Sequence, residues 1–521
     1  MPARPHHTAK VRSMRYVAIF HANLNYAYLE PHKYEQVIRA SYETIFDVFR
    51  DKFPEAKYVF EASGFTIDTM AEKTPDVLKK LRAAIESGQC EFMGAPYAHP
   101  IMANVPEEDG RWACVFAQKS YQKHLGLQAE SWWNPECTWM QYVPYAFRDA
   151  GAKYLTLDFE SYMNCNDKEY SWVERNRAHD INWGGNLPAY DLDPDHPALH
   201  FPFHDIIPGL HGMCRSDRLI NRYIRYFRDR CTLKDFIDNV KKWTGKKDKG
   251  STIIIADDAE YCGTSGYFFV KYYQDYSRSF QIDPDAGRKL THLVEGVLEL
   301  GPMGTFKEAC EEKPVNEPFF VEDRYAWHRT YADAWAGTPE ARAWDPILAE
   351  IRRDYKENLQ PVVENRPEFK DLVEKFWFHL TCSANSDGRW PPPPALTCPF
   401  NREWVLDQME KTRKALAQLK KKAKGLPKVK KKQDLKEAVS THYGYFFTEK
   451  DETDVRHLNL YELQHALYSS YKLYDHDEDK TIGRKRIQAI YNEYKRRGWS
   501  NLVPPDALKA PRKKKSGARK A

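Results

Sequence analysis

A chain of 521 residues is longer than one ordinary hydrophobic core supports, so two or three domains are expected. A net charge of only +5 excludes a polyelectrolyte body, and ten cysteines without a Cys-x-x-Cys pair give neither a zinc ribbon nor a disulfide framework, which reads as a reducing compartment. No uncharged apolar stretch of about 18 residues occurs and no apolar leader core precedes Tyr16, so the reading is a cytoplasmic protein that does not span a membrane.

After a polar, basic start, Tyr16 to Phe20 reads as a buried strand that stops at the polar stretch His21-Ala22-Asn23-Leu24-Asn25. A helix is predicted over 33–49 from the period of Val37, Ile38, Ser41, Ile45 and Val48. Strands at 57–61 and 90–94, a helix at 75–86 and another near 110–124 follow, then a strand at 153–158. Polar strand ends therefore recur near 21, 61, 96, 134 and 158, a spacing suited to repeated β-α units. A parallel barrel is favoured over a doubly wound sheet, because no glycine-rich phosphate turn follows the first strand and a barrel points every such end into one pocket.

Between these strands lies Trp132-Trp133-Asn134-Pro135-Glu136-Cys137-Thr138-Trp139, one carboxylate among three indoles. Aromatic side chains cover the apolar faces of sugar rings and a carboxylate can attack an anomeric carbon, so Glu136 is the candidate nucleophile and Trp133 a candidate substrate contact. The 14 tryptophans fit such a stacking cleft. The apolar run 252–256 ends in Asp257, Asp258 and Glu260, as a buried strand does on reaching an active face. Crowded carboxyl groups cannot all ionise, so Asp258 is the candidate acid/base and Glu260 its neighbour on the same side of an extended strand. The bland alternatives are a surface turn for Pro135-Glu136 and a helix cap for the acids.

From about 163 to 250 the periodicity fails, and a long loop over the barrel mouth is expected. Asp191, Asp193, Asp195, His196, His200, His204 and His211 cluster there, but interrupting prolines argue against an aligned metal site, and no metal or other cofactor is assigned. Beyond Gly304 the chain is helical and rich in tryptophan, and a polar turn from Ser383 to Trp390 can reach back to the mouth. Residues 411–432 hold eleven Lys or Arg and no acid; a solvated helix end and linker is preferred to a nucleic-acid patch. Two more helical stretches, near 458–473 and 482–497, precede a basic end.

Taken together, His21 to Asn25, Ala62-Ser63-Gly64-Phe65, Gly94 to Ile101, Trp133 to Cys137, Asp258 to Gly263 and Asn385-Ser386-Asp387 resemble, in order, the motifs of glycoside hydrolase family 57. Its members include retaining α-amylases, 4-α-glucanotransferases and branching enzymes. The resemblance implies an α/β fold, an incomplete parallel (β/α)7 barrel followed by a helical domain and a basic C-terminal extension. The expected bounds are 15–305 for the barrel with its insert, 306–425 for the helical domain and 426–521 for linker and extension. It implies Glu136 as nucleophile and Asp258 as acid/base. It also implies an oligo- or polysaccharide partner held by His21, Asn23, His99, Trp133, Glu260, Asp387 and Trp390. Asn23 stands where the family carries a second histidine, and Asn25 where it carries a proline. Two other readings stay open on the residues: a carbohydrate-binding protein without turnover, and a metal-dependent barrel hydrolase using His21 and the 200–211 histidines.

Overall fold

The computed structural model describes residues 14–166, 193–216, 223–244, 250–267, 275–327, 330–390, 401–428, 454–476 and 480–503. Two compact units divide the chain, residues 1–430 and 431–521. In the first, strands β1 (Arg15–Ala22), β2 (Tyr58–Ser63), β3 (Cys90–Ala95), β4 (Ser131–Trp132), β5 (Tyr154–Asp158), β6 (Phe203–Ile207), β7 (Leu210–Arg215) and β8 (Thr252–Asp258) form one sheet in the order β6-β7-β5-β4-β3-β2-β1-β8. Every neighbouring pair from β7 to β8 is parallel, and only β6 runs antiparallel, on the outer edge. The sheet curls into an incomplete (β/α)7 barrel: β7 and β8 approach, but no hydrogen-bonded ladder joins them among the described residues.

The core explains the curl. Alternate residues Val17, Ile19, Val59, Met93, Ala95, Met213, Ile254 and Ala256 face one another inside the sheet, each at most 2 % exposed. Burial of each larger aliphatic chain contributes about 1.5–3 kcal/mol. Phe306, Ala309 and Cys310, on the short helix Phe306–Cys310, close the same cluster. Thr305 caps that helix by accepting from the Glu308 N–H while Glu308 accepts from the Thr305 N–H, so two donors at its start are satisfied reciprocally.

The stretch 163–250 differs from the loop expected of it. It supplies β6, β7 and the helix Leu233–Thr244, so the last strand before β8 comes from a region without clear periodicity. His204 and Asp205 lie in β6 and His211 in β7, and these polar residues on an edge pair mask the alternation that betrays a strand.

The helices Pro339–Asp354, Lys370–Cys382 and Arg402–Ala423 complete the first unit. Val405, Met409, Leu416 and Leu419 bury one face of the last, while Lys411 pairs with Asp407 one turn away, as on a solvated helix face. In the second unit Leu460–His476 and Lys480–Arg496 pack as a pair around Leu463, Ala466, Ile490 and Tyr491. No helix among the described residues is long and apolar enough to cross a membrane.

Candidate active site

The parallel strands end together, and their last residues build the site. At the end of β1 the Asn23 backbone N–H donates to Glu260 Oε1 at 2.7 Å, and its side-chain amide donates to Asp387 Oδ2 at 2.8 Å. Asp387 also accepts from the Ala27 N–H at 3.0 Å. The turn that carries Asp387 docks on the barrel: Asn385 donates to the Ala98 carbonyl at 2.8 Å and the Ser386 N–H to the His99 carbonyl at 3.2 Å. Residues 383–390 thus reach the mouth as expected.

At the end of β4 the chain turns sharply over Pro135–Cys137, with Glu136 at φ 52° and Cys137 at φ 47°. Two adjacent non-glycine residues in the left-handed region cost energy, and the surrounding bonds hold them there. Asn134 donates to the Thr138 carbonyl at 2.6 Å, and the Cys137 N–H returns to the Asn134 carbonyl at 2.8 Å. This turn presents Glu136, partly exposed, to the Trp327 indole N–H, which donates to its Oε2.

The three expected indoles do not surround Glu136. Trp132 points outward against Phe147 and Tyr121, and Trp139 packs on Phe319. Only Trp133 faces inward, as strand alternation requires, with its ring stacked on His21 and close to the Arg215 guanidinium. Arg215, at the end of β7, lies 5.5 Å from the Trp133 centroid and 5.0 Å from that of Trp327, and pairs with Asp158 at 3.7 Å. Trp390 packs edge-on to Trp335 at 5.8 Å, in the apolar cluster that Trp327 borders.

At the end of β8, Tyr26 donates to Asp258 Oδ2 at 2.9 Å. The chain then leaves extended geometry, because 259–262 form a 3-10 turn, so shared strand parity is not what groups Glu260 with Asp258. Glu260 is instead gripped by Asn23 and by the Tyr42 hydroxyl, while Ser41 donates to its backbone carbonyl at 2.8 Å. Ser41 and Tyr42 sit in the π-helical turn Ile38–Glu43. Gly263 allows this approach, since a Cβ there would lie 1.9 Å from the Ala40 carbonyl oxygen.

Burial governs the electrostatics. Enclosure by the cleft walls pushes Glu136 up to about 8 although part of its side chain meets solvent, assisted by the charges of Asp387 and Asp258 and opposed by His21 and Arg215. Glu260 also rises to about 8, through burial and then Asp258. Burial lifts Asp387 to about 7 against its bonds from Asn23 and Ala27. Asp258 is raised by burial while His21, Tyr26 and Arg215 pull it down. The acids act on one another and share the field of His21, so their protons belong to the cluster.

The 196–211 histidines form no common ligand set, although the His204 and His211 rings pack edge to face with centroids 4.7 Å apart. His200 Nε2 meets the Pro194 carbonyl at 2.5 Å, His204 Nε2 the Cys310 carbonyl at 2.8 Å, and His196 and His211 accept backbone N–H groups. Among the described residues no group of three metal-ligating side chains forms; Asp191 lies outside them.

With this geometry in place, comparison with known proteins identifies the family. Residues 6–284 match glycosyl hydrolase family 57. The chain belongs to that family. A 4-α-glucanotransferase of Thermococcus litoralis is 30% identical over 131 residues, 25% of this chain and 20% of that enzyme. An α-amylase of Pyrococcus horikoshii is 26% identical over 191 residues, 35% of this chain and 29% of the relative. The aligned regions thus span less than a third of these curated relatives. Among solved structures, a family 57 branching enzyme from Thermococcus kodakaraensis superposes with a TM-score of 0.57 at 12% identity, over 79% of this chain and 95% of that one. The T. litoralis glucanotransferase gives 0.52 at 17% identity, over 77% and 60%. At such identities the superpositions speak for the fold: a family 57 barrel with its helical region.

Sequence reading missed Glu61, Tyr26, Tyr42, Arg215 and Trp327 as members of the site. Glu61 carried a signal, a carboxylate near the end of a fully buried strand; Arg215 carried none, because its strand was read as loop.

Proposed function

We propose that this protein cleaves or transfers α-glucosidic linkages with retention of configuration, using Glu136 as nucleophile and Asp258 as acid/base. The observation that carries the reading is convergence: the partly exposed carboxyl after β4 and the one closing β8 both lie within the fields of His21 and Arg215, and Asp258's charge acts on Glu136. Glu136 attacks the anomeric carbon as Asp258 gives its proton to the glycosidic oxygen, and the C–O bond to the leaving sugar breaks. Asp258 then takes a proton from water or from an acceptor hydroxyl, whose oxygen displaces Glu136.

Membership of family 57, with a 4-α-glucanotransferase and α-amylases among the relatives, supports an α-glucan as substrate. Glu136 must be ionised to attack. The Trp327 N–H favours its carboxylate, and a proton retained on Asp387 removes the foremost charge that otherwise opposes ionisation. His21, His99, Asn23, Glu260 and Asp387 supply polar contacts for sugar hydroxyls, with Trp133, Trp327 and Trp390 as the aromatic neighbours.

Mass spectrometry after incubation with maltoheptaose and amylose tests the reading. Shorter products alone mean hydrolysis, and longer ones as well mean transfer. Binding without any product would instead assign a carbohydrate-binding protein on this scaffold.

A further inference from the structure

The buried carboxyl of Glu61 has no part in the proposed chemistry. Glu61, two residues before the end of β2, has no exposed surface; its Oε2 meets His21 Nδ1, and its Oε1 has no hydrogen-bond partner among the described residues. His21 is itself enclosed. Trp133 stacks on it with ring centroids 5.2 Å apart and planes 26° apart, and the His99 ring lies at 5.1 Å. Its charge acts on Glu136 after β4, Asp258 and Glu260 at the end of β8, and Asp387 on the helical side.

We propose that Glu61 is a positioning residue that fixes His21 as an imidazolium, with Nδ1–H spent on Glu61 and Nε2–H kept as a donor for a sugar hydroxyl. The sugar follows from the proposed function; the state of the ring does not. A neutral imidazole bonded to Glu61 through Nδ1–H turns an acceptor nitrogen toward the cleft, and only a second proton makes Nε2 a donor. Burial alone opposes that proton. Glu61's charge and hydrogen bond, together with the charges of Asp258 and Glu260, outweigh it and raise His21 to about 10; burial raises Glu61 in turn, and the charge and hydrogen bond of His21 pull it back. The π face of Trp133 acts in the same direction.

His99 is the control within the same pocket. It is 2 % exposed, neither ring nitrogen has a hydrogen-bond partner among the described residues, and burial next to the His21 cation holds its pKa well below the usual range. Two imidazoles thus stand side by side in different states: His21 donates only, while neutral His99 keeps a nitrogen able to accept. The difference is made by Glu61, because His99 has no carboxylate partner of its own.

The test is histidine nitrogen NMR on the full chain, with His21 assigned by its loss in His21→Asn. Wild-type His21 should show imidazolium shifts from pH 5 to pH 9. In Glu61→Gln, which keeps an acceptor for Nδ1–H but no charge, His21 should titrate within about one unit of 6.5. Glu61→Asp should restore the wild-type behaviour in part. In kinetics on maltoheptaose, Glu61→Gln should lose at least about tenfold more kcat/KM between pH 6 and pH 8 than wild type, as the donor is lost.

A wild-type His21 that titrates near 6.5, or a Glu61→Gln His21 that stays cationic to pH 9, overturns the proposal. Should Glu61→Gln not fold, the wild-type titration and Glu61→Asp still decide. A cationic His21 in a protein without activity on any glucan keeps the Glu61 assignment and removes the proposed function.

Discussion

Asn23 and Asp387 are 364 residues apart in sequence and 2.8 Å apart in space, and their hydrogen bond ties the end of the first barrel strand to the helical side of the cleft. Asn23→Ala removes the side-chain donor and leaves Asp387, 4 % exposed, with a poorer set of partners. Loss of one such buried bond costs about 1–3 kcal/mol. Chemical denaturation should register that loss, and the KM for maltoheptaose should rise as the 383–390 turn loosens. Removing the bond also takes away a contact that holds Asp387 down, so its titration should move above about 7.

Arg215 offers a second test. It is 2 % exposed, lies beside two indoles, and pairs with Asp158, which also accepts from the Ser161 N–H and hydroxyl. Arg215→Met removes the cation and leaves a buried carboxylate without it. Breaking a buried pair from one side costs about 3–5 kcal/mol. Arg215→Met with Asp158→Asn should recover part of that loss in denaturation experiments. The single substitution should also displace the acid limb of the pH profile to higher pH, because Arg215 is one of the two charges pulling Glu136 down. An unchanged profile in a folded variant would remove Arg215 from the electrostatics of the site.

Stability should depend on pH with a definite sign. Folding raises Glu136 and Glu260 from 4.5 to about 8 and Asp387 from 3.8 to about 7. The folded protein therefore binds more protons than the unfolded chain across roughly pH 4 to 8, and stability falls as pH rises through that window. His21, raised from 6.5 to about 10, extends the fall to higher pH with the same sign. Calorimetry between pH 5 and pH 9 should show the unfolding temperature of the barrel unit dropping. Glu136→Gln removes one of these ionisations, so the variant should exceed wild type at pH 9 by on the order of 1–3 kcal/mol and match it more closely at pH 5.

Most of the barrel was legible because parallel strands buried on both faces write continuous apolar runs. Tyr16–Phe20 and Thr252–Ala256 are such runs, and each gives way to polar residues where the strand meets the cleft. β6 and β7 were not legible, since His204, Asp205 and His211 interrupt the pattern on an edge pair. With β7 unread, Arg215 had no address. Trp327 was visible only as one tryptophan among several, because its place beside Glu136 depends on a two-residue strand, Tyr325–Ala326, whose Tyr325 carbonyl accepts from the Trp139 N–H at 2.9 Å. Contacts between distant segments are set by packing, and local periodicity carries no record of them. Glu260 shows the converse: it joined the cluster as expected, through Asn23 and Tyr42 rather than through strand parity.

The two proposed catalytic carboxyl groups should fail differently when altered. Glu136→Gln keeps shape and one acceptor oxygen for the Trp327 N–H but cannot form a glycosyl ester, so turnover should fall by on the order of 10⁴-fold or more while sugar binding persists. Asp258→Asn keeps the Tyr26 contact but has no proton to give. An aryl glycoside with a good leaving group needs little proton donation in its first step, so that step should be largely spared while turnover of amylose collapses. Azide, a nucleophile that needs no general base, should then react with the accumulated glycosyl-enzyme and restore release of the sugar. Its product should be the glycosyl azide with the configuration of the substrate, because two displacements at one carbon restore the starting geometry. An azide product of inverted configuration would mean direct attack without a covalent intermediate. Near-wild-type turnover by Glu136→Gln on every accepted glucan would remove Glu136 as nucleophile, and with it the double displacement.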